Sequence, residues 1–332
     1  MAIRVLHAGL GPIGSAVVRQ VATRRGFRIV GAVDIAPEKV GQDLGAIAGL
    51  GKDLRVKVTD DLTATIKKTK PEVVVLCTSS SLEKVKEQLE AIFKRGVPVV
   101  STTEELAYPF FSHKKLAKRI DERAKKAKVA VLGTGVNPGF TMDALPIMLT
   151  AVCERVDAVH VDRIQDASKR RLPFQEKIGA GLTTEQFQKR VDEGTVRHVG
   201  LTESIAMIAD AMGWKLDDIR DDIEPKIADQ TVSSEFLTVE KGRVCGILQD
   251  GVGYRNGEKI ITLHMEAYLG APESYDAVRV TGSPNLYSKI DGGIHGDIAT
   301  ASITVNSIPA VLSARPGLHT MRSLQLPSFF GG

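Results

Sequence analysis

A glycine-spaced turn close to the start of the chain limits the possible folds more than any other feature. Gly9, Gly11 and Gly14 follow an apolar run that suits a buried strand. Gly9 suits a tight turn, and Gly11 allows a close approach of the backbone to a phosphate. Gly14 allows close packing of a helix on the strand. Pro12 is favoured in a helix's first turn, which leaves the amides from Ile13 onward to point at an anion. The stretch is therefore predicted to bind the pyrophosphate of a dinucleotide.

An acidic residue follows the next predicted strand. Residues 27–33 are mostly apolar and end in Asp34, at the distance from Gly14 where an acid binds the hydroxyls of an adenosine ribose. Because a carboxylate repels a 2′-phosphate, Asp34 favours NAD, although Lys39 is near enough in sequence to reach a phosphate and NADP stays open. The alternative interpretation is an ordinary strand–turn–helix in which Asp34 caps the following element.

Composition excludes several classes of protein. A net charge of +4 on 44 basic and 40 acidic residues is too small to indicate a nucleic-acid or membrane surface. Cys77, Cys153 and Cys245 match neither a disulfide framework nor a metal-ligand spacing, so no metal site is predicted. With no signal-type start and no long apolar span, a cytoplasmic protein is expected.

The hydrophobic pattern changes along the chain. Up to residue 135, continuous apolar runs alternate with helical patterns, which is typical of a Rossmann-type, doubly wound parallel sheet. Residues 136–295 predict a second α+β domain for substrate binding and oligomerisation, with a largely antiparallel open sheet. Its strands are expected at residues 156–166, 231–240, 259–269 and 275–281. Residues 296–332 are expected to form a helix and tail that return to the first domain.

Ligands of open α/β sheets bind beyond the carboxyl ends of the strands, and three loops lie there. In the first, Thr78, Ser79 and Ser80 follow the apolar run 73–76 and are predicted to contact the cofactor. The alternative is that Ser80 or Ser81 only caps the next helix.

The second loop, residues 101–106, directly follows the apolar run 97–100 and carries two acids, Glu104 and Glu105. Thr102 and Glu105 have the spacing of a capping box, in which Glu105 reaches back to the cap amide. Glu104 is then free and is the predicted acid/base. The alternatives are that Glu105 has this role, or that both acids only favour a helix N-terminus.

The third loop, residues 133–140, is rich in glycine and contains Asn137. Its small residues allow the backbone to approach a flat ring, and Asn137 is predicted to bind the carboxamide of the cofactor, with the substrate as the alternative ligand. A hinge at the domain boundary would use the same residues.

Taken together, these motifs resemble those of the 2,4-diaminopentanoate dehydrogenases and native amine dehydrogenases, which are relatives of dihydrodipicolinate reductase. The motifs are the glycine turn, residues 101–106, 135–140 and 165–168 with 170–171, and the tail from 296 through 318. The resemblance implies an NAD(P)-dependent enzyme that converts an amine reversibly to a ketone or aldehyde and ammonia, and a homodimer is expected. It assigns the catalytic role to Glu104, which would take a proton from the substrate ammonium and help water to add to the imine.

The substrate stays open at this stage, between a diamino acid such as 2,4-diaminopentanoate and a simple primary amine. Predicted substrate-binding residues are Phe140, Met142, Arg163 and Phe174. An inward-pointing Arg163, Arg170 or Lys177 would favour a carboxylated substrate, whereas a mainly apolar wall would favour a simple amine. The histidine pair, lysine and Pro-Ser-Gly-Thr turn of dihydrodipicolinate reductases are missing. An alcohol or aldehyde dehydrogenase and a non-catalytic dinucleotide sensor are the alternative functions.

Overall fold

The computed structural model describes residues 2–331 and divides the chain into two compact units. Met1–Phe140 together with His295–Gly332 form the first unit, and Thr141–Ile294 form the second. The chain therefore crosses between units at 140/141 and at 294/295, where the sequence predicted boundaries at 135/136 and 295/296.

Strands and helices alternate through the amino-terminal part of the first unit. The strands are β1 (Ile3–Ala8), β2 (Phe27–Val33), β3 (Val58–Thr59), β4 (Val73–Leu76), β5 (Val99–Ser101) and β6 (Ala130–Gly133). The helices are α1 (Pro12–Thr23), α2 (Leu44–Ile47), α3 (Leu62–Thr69), α4 (Leu82–Phe93) and α5 (Lys114–Ala127), with a short 3-10 helix at Glu104–Leu106. All neighbouring strands are parallel, in the order β6-β5-β4-β1-β2-β3. Because β4 is buried on both faces, its sequence is continuously apolar.

The second unit is built on a mixed, mostly antiparallel sheet. Its strands are β7 (Arg155–Asp166), β8 (Asp218–Ile227), β9 (Val232–Ser233), β10 (Thr238–Val239), β11 (Val244–Arg255), β12 (Glu258–Tyr268), β13 (Tyr275–Ser283) and β14 (Leu286–Asp291). Its helices are α6 (Ala144–Leu149), α7 (Leu172–Lys177), α8 (Thr184–Asp192) and α9 (Leu201–Ala211), with 3-10 helices at Thr150–Val152 and Ala167–Lys169. Six strands pair in the order β14-β13-β7-β12-β11-β8, and only β7 and β12 are parallel. The predicted fold class is confirmed.

The prediction of individual strands was less accurate here. The strand expected at residues 231–240 is wrong, since β9 and β10 form a two-stranded hairpin. Strands β8, β11 and β14 were missed. In β11 the glycines hide the strand pattern, but a Cβ at Gly246 would lie 2.1 Å from the carbonyl oxygen of Ala267, so the tight pairing with β12 requires glycine.

The end of the chain returns to the first unit. Helix α10 (Gly296–Ser313) packs on α1, where Gln20 Nε2 donates to Ser302 Oγ at 2.9 Å. Strand β15 (Gly317–His319) then pairs in parallel with β6. Within the described range, no helix is both long enough and apolar enough to cross a membrane.

Candidate functional site

The glycine turn joins β1 to α1 at the carboxyl edge of the seven-stranded sheet. Gly9 has a φ of +88°, and a Cβ there would lie 2.5 Å from the carbonyl oxygen of Cys77. A Cβ on Gly14 would lie 1.9 Å from the carbonyl oxygen of Gly9. Around the missing side chain of Gly11, by contrast, no atom of the described chain lies within 4 Å. Gly9 and Gly14 are therefore needed for the turn itself, whereas Gly11 leaves open space above it.

The amino terminus of α1 is suited to an anion. Pro12 is its first residue, the cap residue Gly11 has no side chain to bond the first amides, and the first turn holds no acidic residue. The amides of Ile13 and Gly14 carry the positive end of the helix dipole, whereas the Ser15 N–H already donates to the Gly11 carbonyl at 2.8 Å. Together with the space at Gly11, they fit the pyrophosphate of a dinucleotide.

Asp34 lies at the end of β2 and is tied to the glycine turn. Its carboxylate accepts hydrogen bonds from the Leu10 N–H at 2.7 Å and the Ala36 N–H at 2.9 Å, and Lys39 Nζ lies 3.2 Å away. Partial burial raises the pKa of Asp34, but the two amide bonds and Lys39 outweigh it and leave the pKa below its usual value. Asp34 is thus a fixed, ionised acid beside the turn.

The loop after β4 is held in place by contacts from the neighbouring strand. Thr103 Oγ1 donates to the Ser79 carbonyl at 2.8 Å, and the Glu105 N–H donates to the Ser80 carbonyl at 3.2 Å. The Thr78 hydroxyl donates to Gln88 Oε1 at 2.6 Å. These bonds bring the predicted cofactor loop and the acid-bearing loop together.

The two acids after β5 have different surroundings. The predicted capping box is wrong, because the short helix starts at Glu104 with Thr103 as its cap residue and no side-chain cap bond. Glu105 instead accepts a hydrogen bond at 2.7 Å from the Leu82 N–H, the first amide of α4, and His113 Nε2 lies 3.3 Å from it. Glu105 thereby caps α4 in place of the cap residue Ser81, whose side chain makes no cap bond.

Glu104, unlike Glu105, does not cap a helix. Its carboxylate is partly exposed and has no hydrogen-bonding or ionic partner among residues 2–331. Its negative charge also reaches Cys77 at the end of β4, where burial, partly offset by a hydrogen bond with Thr102, and the charge of Glu104 raise the pKa of the thiol to about 11. Glu104 therefore lies close to the end of β4, at the carboxyl edge of the sheet.

The loop after β6 closes this edge. The Thr134 N–H donates to the Ser101 carbonyl at 2.8 Å, and the Val136 N–H donates to Thr300 Oγ1 at 3.2 Å. Asn137 is buried and precedes a cis peptide bond to Pro138. The predicted cofactor and acid/base residues thus all follow strands of one sheet at one edge, and their roles stay predictions.

Ser101 lies in one of the sequence motifs, but its role at this edge was not predicted. It is fully buried, and its hydroxyl lies 2.9 Å from both the Leu76 carbonyl and the Thr103 hydroxyl. It thereby fixes the two loops relative to each other. A serine that ends an apolar strand was the only signal for it.

The predicted substrate residues have different surroundings. Phe140 ends the first unit and is partly exposed, whereas Met142 lies fully buried in the core of the second unit. Phe174 packs under the Arg170 guanidinium, with 4.1 Å from Cζ to the ring centroid. Arg163 is buried and bonds to Asp276 at 2.5 Å.

Family models cover nearly the whole chain. One described as the C-terminal domain of 2,4-diaminopentanoate dehydrogenase matches residues 140–332, and one described as the N-terminus of dihydrodipicolinate reductase matches residues 3–135. A 2,4-diaminopentanoate dehydrogenase from Acetoanaerobium sticklandii is 36% identical, over 98% of this chain and 94% of its own length. The chain belongs to the 2,4-diaminopentanoate dehydrogenase family.

Two further relatives agree with membership of the 2,4-diaminopentanoate dehydrogenase family. An amine dehydrogenase from Streptomyces virginiae is 24% identical over 97% of this chain and 96% of its own length. The structure of an amine dehydrogenase from Mycobacterium smegmatis has a TM-score of 0.87 at 25% identity and covers 100% of this chain and 98% of that one. The chain is accordingly a dehydrogenase, with a dinucleotide-binding domain that implies NAD or NADP.

Proposed function

We propose that this dehydrogenase catalyses the reversible oxidative deamination of a small primary amine, with Glu104 as its acid/base. The observation that carries the proposal is the contrast between the two acids after β5. Glu105 is engaged by the amino terminus of α4, whereas the carboxylate of Glu104 has no partner in the described chain and is partly exposed. A carboxylate in that position is available to exchange protons with a ligand.

The proton chemistry of deamination needs such a group. A substrate ammonium has no lone pair to assist hydride loss, so Glu104 first accepts one of its protons. When bound, NAD⁺ would supply the acceptor for a hydride from the carbon that bears the nitrogen, and loss of that hydride would leave the substrate as an iminium. Glu104 then assists the addition of water to the iminium, which gives the ketone and ammonium. The balanced reaction is R₂CH–NH₃⁺ + NAD⁺ + H₂O giving R₂C=O + NADH + NH₄⁺ + H⁺.

For the cofactor, we propose NAD in preference to NADP. Gly9, Gly11 and the amides of the first turn of α1 would hold the pyrophosphate, and Asp34 would accept hydrogen bonds from the ribose hydroxyls. The lowered pKa of Asp34 keeps its carboxylate charged at neutral pH, which disfavours a 2′-phosphate. Lys39 offsets part of that charge.

The first substrate to test is 2,4-diaminopentanoate, because it is named in the 36% identical relative. Simple primary amines come next, since other relatives are named only as amine dehydrogenases. The roles of Phe140, Met142, Arg163 and Phe174 in binding either substrate stay predictions.

The test is NADH oxidation with a panel of small ketones, run with and without ammonia, and NAD⁺ reduction with the matching amines. We expect turnover that depends on ammonia in one direction and on the amine in the other. Equal ketone reduction without ammonia would indicate an alcohol dehydrogenase instead. Tight NADH binding without any turnover would indicate a sensor. Parallel titrations with NADPH test the cofactor preference.

Two further expectations stay predictions. The homodimer expected from the sequence is checked by light scattering coupled to gel filtration. The cytoplasmic location is checked by cell fractionation.

A further inference from the structure

A buried ion pair in the second unit contacts both places where the chain crosses between the units. Arg163 on β7 and Asp276 on β13 face each other in the strand register, and each is only 3% exposed. The second unit begins at Thr141 and ends at Ile294. Both of these terminal residues are bonded to the pair.

The contacts use both ends of the pair. Arg163 Nη1 lies 2.5 Å from Asp276 Oδ1 and donates to Thr141 Oγ1 at 3.2 Å. Arg163 Nη2 donates to the Ile294 carbonyl at 2.9 Å, and the other oxygen of Asp276 accepts the Ile294 N–H at 2.7 Å. One guanidinium and one carboxylate therefore hold the entry and the exit of the unit together.

Neighbouring buried side chains add hydrogen bonds at Ile294, where the chain leaves the second unit. Gln165 Nε2 donates to the same Ile294 carbonyl at 3.3 Å, and Arg170 Nη1 donates to Gln165 Oε1 at 2.9 Å. The charge of Arg163 is compensated by Asp276, and both of its terminal nitrogens are engaged. An arginine in this state is poorly suited to bind a substrate carboxylate, which would have to displace Asp276.

We infer that Arg163 and Asp276 are positioning residues that fix the two crossover segments during turnover. The segment that ends at Thr141 is the loop carrying Asn137 and Phe140, and the segment after Ile294 starts α10. A planar guanidinium can hold both segments at once, whereas a lysine ammonium lacks the fork geometry. The inference rests on the proposed amine dehydrogenase activity.

The experiment compares R163M, R163K and D276N with R155M as the matched control. Arg155 lies on the same strand and pairs with Asp157, but its side chain is 64% exposed. Each variant is assayed with 2,4-diaminopentanoate, which has a carboxylate, and with a small alkylamine, which has none. NADH affinity is measured by fluorescence, and hydrogen–deuterium exchange is followed over residues 141–146 and 290–297.

We expect R163M and D276N to lower kcat about tenfold or more with both amines, because small misplacements of reacting groups are costly. R163K should regain part of this loss, since it keeps the charge opposite Asp276. NADH affinity and the ratio of the two KM values should stay unchanged, and exchange at 290–297 should become faster. R155M should behave like the wild type.

Three results would overturn the inference. A rise in KM confined to the carboxylated amine would make Arg163 a substrate ligand. Lower thermal stability with unchanged kcat would reduce the pair to a structural role. Unchanged exchange at both crossover segments would show that the pair does not hold them. If the wild type turns over no amine, the proposed function fails, but the exchange data still test the contacts on their own.

Discussion

Polar groups at the carboxyl edge of the first sheet and polar groups in the interior of the second unit differ in how many hydrogen-bond partners the protein gives them. At the edge, the amides of the first turn of α1 have no capping side chain and the Glu104 carboxylate has no partner in the described chain. In the second unit, Arg163, Asp276 and Gln165 bond to one another or to the same backbone groups, and all are buried. Polar groups without protein partners at an open edge are the ones available to ligands, whereas a satisfied buried network maintains the fold.

Residue type alone does not show whether a polar side chain has partners within the protein. Arginine in a presumed substrate domain suggests a ligand for an anion, and two adjacent glutamates suggest interchangeable acids. The partners of each side chain, rather than its type, separate those that act on a ligand from those that hold the chain.

Replacement of Glu104 tests the first half of the comparison and should give the largest effect. We expect Glu104→Gln to lower kcat/KM for amine oxidation by about 10²–10⁴-fold, the range typical of a lost acid/base group. The NADH dissociation constant should stay within about twofold. Glu105→Gln is the control and should keep wild-type turnover. Equal losses in both variants would refute the division of roles.

The glycine turn provides the next test, because two of its glycines have opposite surroundings. Gly11→Leu should leave thermal stability unchanged while weakening NADH binding at least about tenfold, since its side chain would enter the open space. Gly14→Ala should destabilise the protein itself, because its Cβ would collide with the Gly9 carbonyl. Melting curves with and without NADH separate the two outcomes. Unaltered affinity in Gly11→Leu would place the dinucleotide elsewhere.

Features that depend on nearby residues could be predicted from the sequence, whereas contacts between distant residues could not. Strand β4 and its neighbours were predicted correctly because a strand covered on both faces must be continuously apolar. The glycine turn was predicted because its geometry depends only on residues close in sequence. The cap formed by Glu105 was assigned to the wrong helix, since Leu82 lies 23 positions away and no local pattern connects them. The partner of Arg163 lies 113 positions away, so its buried pair was invisible in the sequence.

His7 is an exception, because it is a buried polar side chain without hydrogen-bond partners in the described chain. It lies on β1, and neither ring nitrogen has a hydrogen-bond partner among residues 2–331. Burial lowers its pKa from 6.5 to about 3. The folded state must therefore keep His7 neutral while the unfolded chain takes up a proton, so stability is lost as the pH falls below 6.5 towards 3.

Urea unfolding at several pH values measures this loss. For His7 alone we expect about 1.4 kcal/mol for each pH unit over that window. In His7→Leu this contribution should vanish, so the difference in unfolding free energy between variant and wild type should grow as the pH falls. A constant difference from pH 7 to pH 4 would mean that His7 finds a partner or a proton in the folded state.

The smallest predicted effect concerns the cap that separates Glu105 from Glu104. Glu105→Ala removes the acceptor of the Leu82 amide and should cost about 1 kcal/mol of stability, as is typical for the loss of a helix cap. Asp61→Ala removes an ordinary cap from α3, where Asp61 accepts from the Ala64 N–H at 2.8 Å, and should cost about as much. Urea unfolding measures both variants. If Glu105→Ala loses activity while Asp61→Ala at equal stability does not, Glu105 shares the proton chemistry. If neither loses activity, the role of Glu105 is to hold α4, and the acid/base assignment rests on Glu104 alone.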